Sequence, residues 1–116
     1  MSFGSHVRSS REARLKLDRS YSVRQVAARI GVEPSYLSKV ERDEQPPPSE
    51  QKIRRLAEEL DEDVDVLLAM AGKVSEDLRH TIIKRPKLFA EMIRELQDMP
   101  DHAVLRLVRE VRDGDW

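Results

Sequence analysis

The sequence predicts an all-α fold, a five-helix bundle followed by a C-terminal helical extension, and three observations predict it. Apolar residues recur at helical spacing along most of the chain, as in Ile53, Leu56, Ala57 and Leu60. Two Phe, two Tyr, one Trp and four Gly are too few for the aromatic strands and glycine turns of a β-sandwich or barrel. Charged residues make up 37% of the 116, against about 25% in an average protein, and apolar residues make up 39%. Such a composition suits helices with broad solvated faces.

Each element has its own local signal. Phe3, Val7, Ala13 and Leu17 predict a loosely amphipathic first helix that runs into the polar stretch Asp18-Arg19-Ser20. Ser22-Val23-Arg24-Gln25 reads as a capping box, so a second helix starts there, with Val26, Ala27 and Ile30 as its buried stripe and Gly31 as its stop. Pro34 fits the first turn of a third helix, where its missing N–H costs nothing, and Leu37 and Val40 face inward from it. Pro46-Pro47-Pro48 is a stiff connector, and Ser49 caps a fourth helix. Val64, Val66, Leu67, Leu68 and Met70 supply a fifth, ending near Gly72.

Beyond Gly72, Ser75-Glu76-Asp77 opens a helix carrying Leu78, Ile82 and Ile83 that closes before Pro86. Leu88, Phe89, Met92, Ile93 and Leu96 form one strong apolar stripe, and Val104, Leu105, Leu107, Val108 and Val111 form another after Pro100. Two stripes need surfaces to bury them: each other, the first bundle, or a second copy of the chain. The expected division is therefore 1–72 and 73–116.

Several classes of function are unfavoured. A chain of 13.5 kDa has little room for a separate catalytic domain. It has no cysteine, and His6, His80 and His102 are not in a metal-ligand spacing, so no metal and no cofactor are expected. Nothing resembles a phosphate loop or a nucleophile elbow, which leaves an enzyme without residues to stand on. No apolar run approaches the roughly 18 residues of a membrane span and the start lacks a signal-peptide pattern, so the expected compartment is the cytoplasm, with no membrane partner.

The formal charge of −1 conceals a gradient. Residues 1–58 hold 12 basic and 8 acidic groups, and residues 59–116 hold 9 and 14. Glu58, Glu59, Asp61, Glu62, Asp63 and Asp65 form an acidic run, and the tail ends Asp113-Gly114-Asp115-Trp116. The first half suits a polyanion and the second would be repelled by one.

The informative stretch is Val23 to Arg42, VRQVAARIGVEPSYLSKVER. Two helices joined by a short turn must approach closely, which calls for the small Ala27 at the crossing and for Gly31 in the left-handed conformation. Val26, Ile30, Leu37 and Val40 fill the angle between them. This pattern resembles the helix-turn-helix of the Xre/Cro repressor family, from about Phe3 to Gly72, including the Tyr36-Leu37-Ser38-Lys39-Val40-Glu41-Arg42 ending and a fourth helix at Ser49 to Leu60.

The resemblance implies a repressor-like DNA-binding bundle whose helix at Pro34–Arg42 enters the major groove of double-stranded DNA. Base contacts would come from Glu33, Pro34, Ser35, Ser38 and Lys39: lysine donating to guanine, serine to either edge, glutamate accepting from cytosine. Phosphate contacts would come from the helix start at Ser22, Val23 and Arg24, from Arg42, and from Lys16 and Arg19 in a segment longer than the family's usual turn. The resemblance further implies that Arg11 and Glu41 form a structural ion pair. Asp43 and Glu44 stand where family members place basic or polar groups, which predicts modest affinity.

The leading expectation is a sequence-specific transcriptional regulator, a homodimeric repressor on a two-fold operator, with Leu88, Phe89, Met92, Ile93, Leu96, Leu105 and Val108 as the candidate dimer or partner surface. One alternative is an antitoxin or adaptor whose C-terminal helices bind a partner protein while the helix-turn-helix autoregulates its promoter. Another keeps the fold and drops the DNA, leaving a protein-docking module.

Overall fold

A computed structural model of the chain describes residues 1–114; Asp115 and Trp116, and with them the end of the expected acidic tail, lie outside the described residues. Those residues contain eight α-helices and one 3-10 turn, with no strand among them. The helices are α1 (Phe3–Leu15), α2 (Val23–Ile30), α3 (Pro34–Glu41), α4 (Glu50–Leu60), α5 (Val64–Met70), α6 (Glu76–Lys84), α7 (Pro86–Leu96) and α8 (Asp101–Asp113), and the 3-10 turn, Arg19–Tyr21, lies between α1 and α2. The fold is all-α. The chain divides into two units, Met1–Ser75 and Glu76–Trp116.

In the first unit the helix starts are fixed by side chains that take up otherwise orphaned N–H groups. Ser2 and Ser5 form a capping box on α1, Ser22 Oγ accepts from Gln25 N–H at 3.2 Å on α2, and Ser49 and Asp63 cap α4 and α5. On α2 the serine half of the expected box is formed, while the Gln25 side chain is exposed. The helix ends share one device. At Gly31, Asp43, Asp61 and Gly72 the backbone turns left-handed, and the next N–H returns to a carbonyl one turn back: Val32 to Ala27, Glu44 to Lys39, Glu62 to Ala57 and Lys73 to Leu68.

α1 packs on α3 and α4, α2 on α3 and α4, and α4 on α5, enclosing a core in which Val7, Val26, Ala27, Ile53, Leu56 and Leu68 are fully buried. Full burial of each larger aliphatic chain stabilises the unit by about 1.5–3 kcal/mol. The structure corrects the expected face of α1. Ala13 and Leu17 are exposed, Leu17 lies beyond the helix end, and the buried positions are Phe3, Gly4, Val7 and Arg11. The physical reason is Arg11, which is buried because it has a partner inside. Gly4 is required by a close approach: a Cβ there would collide with the backbone carbonyl of Val40. Within α5, Val66 is exposed, and the buried side chains are Leu67 and Leu68. Lys73 closes the unit by donating from Nζ to the Pro48 carbonyl at 2.9 Å.

The second unit contrasts with the first. Pro86 occupies the first turn of α7 and Pro100 precedes α8, so both helices start where the prolines allow. α6 touches α7, yet among residues 76–114 none is buried. Leu88, Met92, Ile93, Leu105 and Val108 are exposed, while Phe89 and Leu96 are half-buried. α7 and α8 border an apolar groove of about 360 Å³ lined by Met92, Leu96, Val104, Leu107, Val108 and Val111, with Arg112 at its edge.

Candidate nucleic-acid interface

The site is built from α2, the turn Gly31-Val32-Glu33, and α3. Gly31 sits at φ 80°, where a side chain is disfavoured, and this lets α3 leave α2 sharply. Ala27 is completely buried at the crossing. Lys52 Nζ donates to the Gly31 carbonyl at 3.2 Å and Arg29 Nε to Glu59 at 2.6 Å, so α4 holds both the turn and the outer side of α2.

At the start of α3, Glu33 precedes the helix without capping it through its side chain, and Pro34 occupies the first turn. Glu33, Pro34, Ser35 and Lys39 are exposed, and Ser38 is half-buried. Ser38 faces a small pocket of about 110 Å³ that it lines with Arg8, Arg11, Val23, Glu41 and Arg42. Of the five expected base-contacting residues, four are thus on the open surface and one borders a basic recess.

That recess lies at the start of α2. The first backbone bond of this helix is Val26 N–H to the Ser22 carbonyl, so the amides of Val23 and Arg24 precede the intrahelical ladder and point at the N-terminal approach, where the helix dipole favours an anion. Arg24 and Arg42 are exposed. Arg8, absent from the sequence expectation, lines the same recess from α1. Each of the two flanking arginines is held by a carboxylate, Arg8 by Glu12 at 2.9 Å and Arg42 by Glu44 at 3.0 Å. The hydrogen bond from Arg42 holds the Glu44 carboxyl below its usual range and raises the Arg42 guanidinium in turn, and the hydrogen bond from Arg8 likewise lowers the Glu12 carboxyl.

Beneath the surface lies the buried pair. Arg11 Nε donates to Glu41 Oε2 at 2.7 Å, Nη2 to Oε1 at 2.9 Å, and Nη1 to the Tyr21 carbonyl at 3.1 Å. The two side chains are 6% and 3% exposed. One guanidinium therefore joins α1, the end of α3 and the residue just before the α2 cap. The bidentate fork sets the angle at which the α2 start and the α3 end meet.

Lys16 and Arg19 are exposed in the segment between α1 and α2. That segment is ordered by the 3-10 turn: the Asp18 side chain accepts from Ser20 N–H at 2.9 Å, which holds the carboxyl below its usual range. Tyr21 packs on the core, with the guanidiniums of Arg14 and Arg29 5.5 and 5.2 Å from its ring centre. The sequence signal for Tyr21 was its place immediately before the Ser22 cap, the spacing of a hydrophobic staple with Val26. Asp43 serves the fold, since it takes the left-handed position after α3 and accepts from Ser2 Oγ at 2.8 Å.

Among the described residues no helix is long and apolar enough to cross a membrane, and no group of three or more His, Asp or Glu is placed to hold a metal ion. A family model described as a helix-turn-helix domain matches residues 2–70 of the chain. Comparisons with curated proteins and with solved structures gave no match.

Proposed function

The chain belongs to the helix-turn-helix domain family, and from that membership and the geometry of α2 and α3 we propose that it is a sequence-specific transcriptional regulator of the Xre/Cro type. It lays α3 in the major groove of double-stranded DNA. One observation carries the reading: α3 presents Glu33, Pro34 and Ser35 at its start and Lys39 in its last turn to solvent, beside a recess bordered by Arg8, Arg42 and Val23 at the start of α2. The first set is suited to base edges and the second to phosphates. Lys39 donates to guanine, Ser35 to either edge, and Glu33 accepts from a cytosine amino group.

One helix covers only a few base pairs, so useful specificity calls for a homodimer on half-sites about one helical turn apart, repressing by occupation of the operator. The test is selection of bound sequences from random duplexes at fixed, stated salt. An enriched motif with two related halves supports the reading; recovery of the starting pool without enrichment overturns it. The exposed apolar faces of residues 76–114 favour a second reading, an antitoxin or adaptor whose C-terminal helices hold another protein. A second polypeptide in fixed ratio with the chain on purification would distinguish it.

A further inference from the structure

We propose that Arg55 of α4 is a further phosphate contact, one that grips the strand across the major groove from the strand held by the basic recess. Arg55 is exposed, and among the described residues its guanidinium has no hydrogen bond or ion pair. Most arginines of the first unit differ from it. Arg8, Arg11, Arg29, Arg42 and Arg54 are each held by a carboxylate, and Arg14 stands over the Tyr21 ring. The carboxylate one turn beyond Arg55 on its own helix, Glu59, is taken by Arg29 at 2.6 Å, which leaves the Arg55 guanidinium uncommitted. Its place is the turn between α2 and α3. A Cβ added to Gly31 would stand 3.5 Å from Arg55 Nη1 and 3.0 Å from Lys52 Nζ, and that same ammonium donates to the Gly31 carbonyl. Lysine holds the turn from which α3 departs, and arginine beside it is left to solvent.

The spacing of the cationic groups matches the groove. The recess with Arg8 and Arg42 lies at the start of α2, and Arg55 lies by its end at Gly31. α2 has eight residues, so its two ends are about 12 Å apart at a rise of ~1.5 Å per residue. The major groove is about 12 Å wide. With α3 in the groove and α2 lying over it, one end of α2 comes to each rim, and the two rims belong to opposite strands. A free guanidinium suits that position, because its planar fork matches two phosphate oxygens at once. The inference deepens the regulator reading by naming its contact with the second strand, and it rests on that reading for the placement of α3.

The test is anisotropy titration of the full chain with a mixed-sequence duplex at several salt concentrations, for the unaltered chain and for Arg55→Gln and Arg55→Lys. Arg55→Gln is expected to lower the slope of log affinity against log salt by about 0.9, so that a fourfold rise in salt costs it about 3.5-fold less affinity than it costs the unaltered chain. Arg55→Lys keeps the charge and is expected to keep the slope. A slope unchanged by Arg55→Gln, or lowered as far by Arg55→Lys, overturns the proposal. The strand is read with duplexes that carry one neutral methylphosphonate at a time. Arg55→Gln and Arg24→Gln are each expected to lose sensitivity at a different phosphate, the two lying on opposite strands across the major groove. A shared phosphate, or none for Arg55→Gln, overturns the assignment. Neither readout needs a selected motif. A flattened slope with no motif recovered would leave the phosphate contact standing and remove the sequence-specific reading, and a recovered motif with an unchanged slope would do the reverse.

Discussion

Replacing Glu41 by Ala strands a guanidinium inside the first unit. Arg11 is 6% exposed, and after the change its one remaining acceptor in that site is the Tyr21 carbonyl, so a full positive charge is left with one hydrogen bond where it had three. Breaking a buried pair in this way costs about 3–5 kcal/mol. A unit of 75 residues is stable by about 4–11 kcal/mol at the usual ~0.05–0.15 kcal/mol per residue, so the change consumes a large share of the whole. At about 4–8 °C per kcal/mol for a domain of this size, a loss of 3 kcal/mol lowers Tm by about 12–24 °C. The assay is urea and thermal unfolding followed by far-UV circular dichroism, with the urea slope checked for constancy. Arg11→Met with Glu41→Leu, which removes both charges and keeps the volume, is expected to recover most of the loss, because an apolar pair no longer carries the desolvation cost. A Glu41→Ala penalty below about 1 kcal/mol, the range of exposed pairs, would refute the reasoning.

Gly4→Ala is expected to destabilise the unit by about 1–3 kcal/mol, since the added methyl meets the Val40 carbonyl and neither backbone can yield easily; an unchanged urea midpoint would contradict it. Glu44→Ala releases Arg42 from its partner and is expected to tighten binding to all duplexes alike and to steepen the salt dependence by up to about 0.9 in slope, measured by anisotropy titration at several salt concentrations. Asp18, held below its usual value by the N–H of Ser20, contributes stability that is present above the unfolded pKa of about 4 and is lost as pH falls through the lower folded value. The urea midpoint of Asp18→Asn is therefore expected to fall less steeply than that of the unaltered chain below pH 4, and equal slopes would contradict the assignment.

The motif was legible because its signals are local. Ser22 before α2, Gly31 after it and Pro34 at the start of α3 are each bound to their roles by backbone geometry within three residues. What was not legible depends on distant partners. The apolar spacing of α1 pointed to Ala13 and Leu17, whereas its buried face includes Arg11, admitted to the core by a carboxylate 30 residues away. Asp43 and Asp61 end helices in a conformation that glycine usually supplies, so composition gave no sign of them. Arg8 enters the recess because α1 passes near the start of α2 and the end of α3, a tertiary fact. The stripes on α7 and α8 were visible as stripes, but periodicity states that a face is apolar and not what it meets.

The central claim is that the outward residues of α3 read sequence. Its most direct test is the affinity of the unaltered chain and of a Lys39→Ala, Ser35→Ala variant, both positions exposed on α3, for the selected duplex and for a scrambled duplex of the same length, at one stated salt concentration. The unaltered chain is expected to prefer the selected duplex, and the variant to lose about 1–3 kcal/mol of that preference for each bidentate base contact removed, while its affinity for the scrambled duplex changes little. Equal preference in both proteins would contradict the claim and place recognition on some other surface.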